Sequence, residues 1–576
     1  MSSAINSGST PASVPKRRRL SAFRSGDEQL AVWITVTILL LLLIFIAWPL
    51  LSMFSMTTEA RDGSYIGLAN WSALLSEPRL RIAAGNSIAL AATTLCLVLP
   101  LALAFAFALT RTRLLGRRVF RLIALAPMLA PSLMPAISLV YLFGNQGLLK
   151  SWLGGNSIYG PLGIVLGEVF YTFPHALLIL TAALSVADAR LYEAAETLGA
   201  SKLRRFLTVT LPNARYGVIS AAMVVFTLVV TDFGIPKVIG GQMNVLSLEA
   251  YKQVIGQQNF SKGAIIGVLL LFPAVLSFIV ERWLLRRQTS QMSGRSVVYQ
   301  PRRNLVRDSV LWLLCSGMSL FFLALLGVGC VAAFIKMWPY NMSFTLAHFD
   351  FDQLDGGGWQ AFWNSTRLAL LVTLFGTGFL FITAYLIEKS PVPRSLAAAI
   401  RSLALLPMAV PGLVLGLGYV LCFNAPGNPL HGLYGTMSLL VIATIAHYYT
   451  TAHLTLATSL RQLDGEIEAV ARSLQRPWWQ TCLRVTVPIS LPAILDVARY
   501  LFVSAMTTVS CVIFLYTPDT VLAAVAVLNM DDAGDTAAAA AMASMIVASS
   551  LLITLLMNGV GWWLNRRAQA WRTPSH

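Results

Sequence analysis

The segment DARLYEAAETLGASKLRRFLTVTLP, from Asp188 to Pro212, decides the fold because a related segment recurs later in the chain. The second copy is DGEIEAVARSLQRPWWQTCLRVTVP, from Asp464 to Pro488, so the two copies are 276 residues apart (464 minus 188). Each copy predicts a short helix, a turn and a second helix stopped by proline. Since strongly apolar runs flank both copies, the repeat predicts two related halves that each present one polar loop.

The composition places the chain in a membrane. Its 576 residues are 56% hydrophobic and 12% charged, and a bilayer can bury that much apolar surface whereas a soluble domain cannot. Apolar runs near the roughly 20 residues needed to cross a bilayer predict twelve helices, six per half, and no run predicts a sheet or a barrel. The predicted spans are 31–54, 84–110, 119–145, 160–186, 216–236, 262–285, 309–336, 364–387, 399–423, 435–459, 492–516 and 540–564.

The distribution of basic residues predicts the orientation. The net charge is +17, and the basic residues gather in alternate loops, as the positive-inside rule describes for cytoplasmic segments. Both termini are therefore expected in the cytoplasm, and the amino-terminal cluster is expected to contact anionic lipid rather than nucleic acid. The clusters are Lys16–Arg19, Arg111–Arg121, Lys202–Arg205, Arg282–Arg307 and Arg566–Arg572.

Two further matches extend the repeat. Asn86-Ser87 matches Asn364-Ser365, and the proline-containing segment 124–131 matches 404–411. Six spans return the chain to the same side, so the repeat is parallel and its pseudo-two-fold axis follows the membrane normal. The predicted organisation is a basic cytoplasmic tail at 1–30, a first half at 31–286, a cytoplasmic linker at 287–308, a second half at 309–565 and a cytoplasmic tail at 566–576.

The proline pairs are candidate hinges. Pro127 and Pro131 in the third span, and Pro407 and Pro411 in the ninth, each free a backbone carbonyl inside a helix. A neighbouring group or a water-lined path must satisfy those carbonyls. The pairs are therefore either hinges for alternating access or packing kinks.

A few ionisable residues lie within or near predicted spans. Glu168, Asp232 and Lys237 are of this kind, and such groups usually face a pathway or each other. Asp232, which precedes a Gly and a Pro, is either a pathway residue or a helix end paired with Lys237 at the outer interface. His175 and His447 are interpreted as interior histidines rather than metal ligands.

Several chemistries are excluded by the motifs that the sequence lacks. It contains no Gly-rich phosphate loop that ends in Gly-Lys-Ser or Gly-Lys-Thr, so ATP and Mg²⁺ are not expected to bind to this chain. It also contains no nucleophile elbow or zinc signature, and its six cysteines show no metal-ligand spacing. We therefore predict neither an enzyme nor a resident metal or cofactor.

The first copy of the repeated loop resembles the EAA motif of importer permeases of the ATP-binding-cassette (ABC) class. The residues that carry this resemblance are Glu193, Ala194, Ala195, Gly199, Leu211 and Pro212. The resemblance implies a type I importer permease fold in the bacterial inner membrane. It also implies that the loop forms a coupling helix seated in a separate ATPase, with two ATPase subunits and a periplasmic binding protein as partners.

The second copy departs from the motif. Ala471 and Pro488 keep matching positions, but Ala469 replaces the motif glutamate, with Glu468 one place earlier, and Gln475 replaces the glycine. A left-handed conformation costs a non-glycine residue roughly 1 kcal/mol. Gln475 therefore either adopts that conformation or ends a different turn, and we expect the two loops to dock asymmetrically.

A secondary transporter of the major facilitator type is the alternative, since it also has twelve helices in two parallel halves. The stretch Leu114–Arg118 imitates part of its loop signature but lacks the aspartate. That family also gives no reason for two long matched loops.

For the substrate, fused permeases of this length resemble the group that transports ferric iron and 2-aminoethylphosphonate. The stretches that resemble the phosphonate branch are Thr231–Gly241, Tyr251–Phe260, Pro339–Leu346 and Leu515–Asp535. The resemblance implies 2-aminoethylphosphonate as the substrate, with ferric iron as the alternative.

Overall fold

The computed structural model describes residues 26–60, 64–185, 189–288, 301, 304–353 and 356–568. Ten described helices are long and apolar enough to cross a membrane, and two bent helix pairs bring the number to twelve if each pair is one span. The predicted all-α membrane fold is confirmed. The amino-terminal tail up to residue 25 and most of the linker lie outside the described residues, so the domain boundaries stay predictions.

The elements of the first half are α1 (Gly26–Met56), a short helix at Ala69–Leu75, α2 (Pro78–Arg111), α3 (Arg117–Leu129), α4 (Leu133–Phe143), α5 (Pro161–Ser185), α6 (Ala189–Thr197), α7 (Lys202–Thr231), α8 (Gly234–Ile239), α9 (Leu246–Tyr251) and α10 (Phe260–Gln288). Those of the second half are α11 (Leu305–Ala332), β1 (Ile335–Met337), β2 (Asn341–Phe344), α12 (Gly358–Lys389), α13 (Arg394–Ala409), α14 (Gly412–Phe423), α15 (Met437–Arg461), α16 (Glu466–Ser473), α17 (Trp478–Thr507), α18 (Ala523–Ala533) and α19 (Thr536–Ala568).

The third span of each half is bent rather than straight. α3 and α4 meet at 103°, and α13 and α14 meet at 112°. Pro127 and Pro407 each lie in the 3-10 turn that ends the first helix of the pair. Pro131 and Pro411 lie in the short break between the two helices. Because proline has no N–H to donate, the helical hydrogen bonds stop there and the chain turns. The spans predicted at 119–145 and 399–423 are therefore each a bent pair of helices.

The fifth span of each half begins much earlier than its hydropathy predicts. α7 starts at Lys202 rather than 216 and ends at Thr231, while α17 runs from Trp478 to Thr507 instead of 492–516. Pro212 and Pro488 do not stop the preceding helix as predicted. Each proline follows a five-residue π-helical segment and lies in the first turn of the α-helical stretch that comes next, so the helix continues across it.

The Asn-Ser repeat has the same role in both halves. The Ser87 hydroxyl accepts the first N–H of α9, from Leu246, at 2.9 Å. The Ser365 hydroxyl accepts the first N–H of α18, from Ala523, at 2.7 Å. Each serine lies on the second span of its half and caps a short helix that follows the fifth span. The matched capping supports the predicted internal repeat.

The first helix of each half packs against the other half. α1 contacts α13 and α14, and α11 contacts α3 and α4. The Tyr419 hydroxyl donates to the Phe45 carbonyl at 2.6 Å across this interface. At Gly329, an added Cβ would lie 2.6 Å from the Ser138 hydroxyl oxygen, so glycine permits the close approach of α11 to α4.

A small hairpin was not predicted. β1 and β2 are antiparallel strands of three and four residues between α11 and α12. The Trp338 indole in its turn donates to the Tyr141 carbonyl of the first half at 2.9 Å. The expectation of no sheet is therefore wrong at this one place, where strands too short to show a periodic pattern pair locally.

Candidate functional site: the coupling loops and the interface between the halves

The first polar loop ends α6 with a left-handed glycine. Gly199 has φ of +72°, its N–H donates to the Glu196 carbonyl at 2.9 Å, and the Ala200 N–H donates to the Ala195 carbonyl at 3.0 Å. These two bonds form a Schellman motif, which satisfies carbonyls that a helix end would otherwise leave free. Asp188, the first residue of the repeated segment, lies outside the described residues.

The second polar loop forms the same turn without glycine. Gln475 has φ of +52°, its N–H donates to the Arg472 carbonyl at 3.1 Å, and the Arg476 N–H donates to the Ala471 carbonyl at 2.9 Å. Of the two possibilities left open by the sequence, Gln475 therefore adopts the left-handed conformation and the turn is preserved. The backbone cost of about 1 kcal/mol falls on this loop alone.

A basic residue at the end of the second span anchors each loop. Arg111 is 3% exposed, donates to the Leu184 carbonyl, and places its guanidinium carbon 5.0 Å from the centroid of the Tyr192 ring. In the second half, Lys389 donates to the Leu463 carbonyl at 2.8 Å and pairs with Glu468 at 3.4 Å. Sequence reasoning missed both anchors, although each basic residue stands at the polar end of an apolar run.

The two loops differ in the direction of their acidic residues. With the 276-residue offset, Glu468 corresponds to Tyr192 and not to Glu193. The Glu468 side chain is 12% exposed and points inward to Lys389, whereas Glu193 is exposed. A motif glutamate therefore faces solvent only in the first loop.

Both loops expose a leucine at the tip. Leu198 is 86% exposed and Leu474 is 65% exposed, and each immediately precedes the left-handed residue. Such side chains are normally covered when a polar loop has a partner to dock against. Ala194 is also exposed, and Ala195 and Ala471 are partly exposed. Among the remaining motif positions, Leu211 is partly buried, and Pro212 and Pro488 are exposed on α7 and α17.

Asp232 and Lys237 do not pair with each other. The Asp232 carboxylate accepts the Ile235 N–H at 2.9 Å and so caps α8, while Lys237 pairs with Asp532 of the second half at 3.0 Å. The interpretation of a local Asp232–Lys237 pair is therefore wrong. Asp531 lies beside this bridge, and burial together with the Asp532 charge raises the pKa of Asp531 to about 6, while Lys237 opposes the shift.

Among the described residues, no group of three or more His, Cys, Asp or Glu side chains is placed to hold a metal ion. His175 lies with its Nδ1 3.3 Å from the Tyr171 carbonyl oxygen of the preceding turn. His447 packs against the ring of Tyr448, with 4.5 Å between the ring centroids.

The model of the family described as binding-protein-dependent transport system inner membrane component matches residues 100–290 and 381–569, one segment in each half. A protein of Haemophilus influenzae that carries the name of a ferric transport system permease is 26% identical over 499 residues, covering 84% of this chain and 77% of its own. The ferric transport system permease protein of Actinobacillus pleuropneumoniae is 25% identical over 525 residues, covering 87% of this chain and 74% of its own.

Among solved structures, a chain of a bacterial alginate ABC transporter, in complex with an alginate pentasaccharide-bound periplasmic protein, aligns with 46% of this chain and 96% of its own length. Its TM-score is 0.39 and its sequence identity 16%. The family match in both halves leaves the major facilitator alternative without support.

Proposed function

Since the chain belongs to the family of binding-protein-dependent inner membrane transport components, we propose that it is a two-half permease of an ABC importer whose two polar loops dock on two ATPase subunits. The observation that carries this proposal is the pair of loops with the same Schellman turn and an exposed leucine before it. One loop per half is the arrangement expected of a permease that meets one ATPase subunit with each half.

The transport mechanism is alternating access. A periplasmic binding protein delivers the substrate at the outer face, and ATP with Mg²⁺ binds in the separate ATPase subunits. Their closure moves α6 and α16, and the anchors Arg111 and Lys389 connect this movement to the second span of each half. The bends at the proline pairs, between α3 and α4 and between α13 and α14, act as hinges in this mechanism. Both termini lie in the cytoplasm, on the side of the polar loops.

The docking proposal is tested with Leu198→Asp and Leu474→Asp. Each change puts a charge at the tip of one loop, and we expect weaker co-purification of the ATPase and at least tenfold lower ATPase stimulation. Leu115→Asp is the matched control, because Leu115 is 83% exposed but lies in the connection between α2 and α3. Unchanged co-purification and stimulation in both tip variants would contradict docking at these loops.

For the substrate we favour 2-aminoethylphosphonate, on the four stretches that resemble the phosphonate branch. Ferric iron is the second candidate, because the two similar relatives are named for ferric transport. A clean deletion strain is grown with 2-aminoethylphosphonate as the sole phosphorus source and, separately, under ferric iron limitation. Phosphate-grown cells and the complemented deletion are the controls. Loss of growth on the phosphonate alone supports the first candidate, and loss under iron limitation alone supports the second.

A further inference from the structure

Two carboxyl groups of the first half meet inside the membrane region. Glu168, about two turns after the start of α5, is fully buried, and neither of its carboxylate oxygens has a hydrogen-bond partner of good geometry among the described residues. Its carboxyl faces that of Asp232, the residue that follows α7. Asp232 keeps part of its surface accessible, whereas Glu168 does not.

Tyrosines of both halves lie near the two acids. Tyr171, one turn after Glu168 on α5, interacts electrostatically with both carboxyls and also with Tyr448 and Tyr500 of the second half. The rings of Tyr448 and Tyr500 pack edge to face with 5.9 Å between their centroids. All three tyrosines are only partly buried. The acidic pair therefore lies beside partly accessible phenol groups from both halves.

The internal repeat shows that the fold does not require these carboxyls. α7 and α17 end at matching residues, 231 and 507, and the same 276-residue offset places Thr444 and Thr508 at the positions of Glu168 and Asp232. Thr444 simply donates to the Leu440 carbonyl of its own helix at 2.7 Å. The second half thus forms the same elements with neutral side chains.

Burying two acids together is costly, because each loses hydration and they repel each other when ionised. The charged side chain that acts on Glu168 within the described part of the chain is Asp232, another acid, and no cation offsets it. Ionisable groups retained in a membrane domain under these conditions usually serve a transported species. An anionic species would find repulsion here, whereas a cation would find two oxygen-bearing acids and a phenol.

We propose that Glu168 and Asp232, with Tyr171, form a transient site for the positively charged group of the substrate as it passes between the halves. The inference rests on the proposed importer function and refines it. The shared chemistry is a cation: the primary ammonium of 2-aminoethylphosphonate, which offers N–H donors to carboxylates, or Fe³⁺, which prefers hard oxygen ligands. The site belongs to the first half alone, because the second half has threonines at the positions of Glu168 and Asp232.

The test uses the full complex of permease, ATPase and binding protein in proteoliposomes. Uptake of radiolabelled 2-aminoethylphosphonate and of ⁵⁵Fe³⁺ by the wild-type complex is measured first, because it tests the proposed function. Glu168→Gln and Asp232→Asn are then compared with the wild type on the transported substrate. Thr444→Val and Thr508→Val are the matched controls in the second half.

We expect each acid-to-amide variant to reduce uptake at least tenfold, while ATPase stimulation by the loaded binding protein stays within twofold of wild type. The threonine controls should keep uptake within twofold. In the phosphonate case, competition distinguishes a binding role from a structural one: ethylphosphonate, which lacks the amine, should compete relatively better in the variants. In the iron case, competition by Ga³⁺ should weaken in the variants.

Wild-type uptake in Glu168→Gln and Asp232→Asn would overturn this inference and leave the importer function intact. A wild-type complex that transports neither compound would overturn the substrate proposal and this inference together. The thermal melting midpoint is recorded for every variant. A variant that melts well below the wild type is replaced by Tyr171→Phe, which removes only the phenol oxygen and is expected to lower uptake severalfold. Wild-type uptake in that variant would also count against the site.

Discussion

The left-handed residues of the two polar loops allow a reciprocal exchange, Gly199→Gln and Gln475→Gly. Both residues have positive φ, +72° and +52°. An added Cβ at Gly199 would meet no atom within 4 Å, so a glutamine side chain fits there without a clash. The cost of Gly199→Gln is therefore confined to the backbone and amounts to about 1 kcal/mol. Gln475→Gly recovers a similar amount in the other loop.

A free energy of about 1 kcal/mol changes a local opening equilibrium roughly fivefold. Hydrogen–deuterium exchange of the resting complex should therefore show the amides at the end of α6 exchanging about fivefold faster in Gly199→Gln. Those at the end of α16 should exchange more slowly in Gln475→Gly, since the native opening there is easier. ATPase stimulation should fall in the first variant, because the coupling helix loses its fixed end.

The control is Gly465→Gln, which lies in the second loop with φ of −70° and open space around it. A side chain at that position meets neither a clash nor a disfavoured backbone, so exchange should match the wild type. Equal acceleration by Gly465→Gln and Gly199→Gln, or no acceleration by Gly199→Gln, would refute the backbone argument.

Three further predictions concern capping, charge and pH. Ser87→Ala and Ser365→Ala should each lower the free energy of unfolding by about 1 kcal/mol, because each leaves the first N–H of a helix without its acceptor. In thermal melting the losses should add in the double variant, since the two sites are in separate halves. Glu193→Ala should lower ATPase stimulation without changing the melting midpoint, whereas Glu468→Ala should lower the midpoint because it leaves the 7%-exposed Lys389 without its carboxylate partner. Equal loss of stimulation in the two variants with no difference in midpoint would contradict asymmetric docking. The raised pKa of Asp531 means that the folded protein holds this proton more tightly than the unfolded chain, so the wild type loses stability as pH rises from about 4 to about 6. Asp531→Asn should accordingly gain roughly 1–2 kcal/mol over the wild type at pH 7.5 and roughly a third of that gain at pH 4.5. A pH-independent difference in melting midpoint would rule out this titration.

The spans and the repeat were predictable because both depend on patterns along the chain. Hydropathy could not show that α7 begins at Lys202, because the helix extends beyond its apolar part and hydropathy measures only that part. The proline pairs indicated a hinge or a kink in each third span, but the sequence could not show bends as large as 103° and 112°.

Partnerships between distant residues were the least predictable part of the site. Lys237 forms an ion pair with Asp532 in the other half, and no residue near Lys237 in the sequence indicates this pairing. Glu168 and Asp232 were each identifiable as unusual, but their meeting depends on how α5 packs beside the end of α7. By contrast, the correspondence of Glu468 with Tyr192 follows from the repeat offset alone.

Because α1 packs against the second half and α11 against the first, some contacts of the first half can form only after the second half has been synthesised. Phe45 accepts the hydroxyl of Tyr419, so the surface of α1 that packs on α14 has no partner until the ribosome has reached the ninth span. At roughly 5–20 residues per second, that interval is on the order of 20 to 75 seconds. During this time α1 can pack on α10 of its own half, but its contacts with α14 cannot form. The packing of the first half is thus completed only when the second half is made, and the covalent join keeps that second half in the same chain.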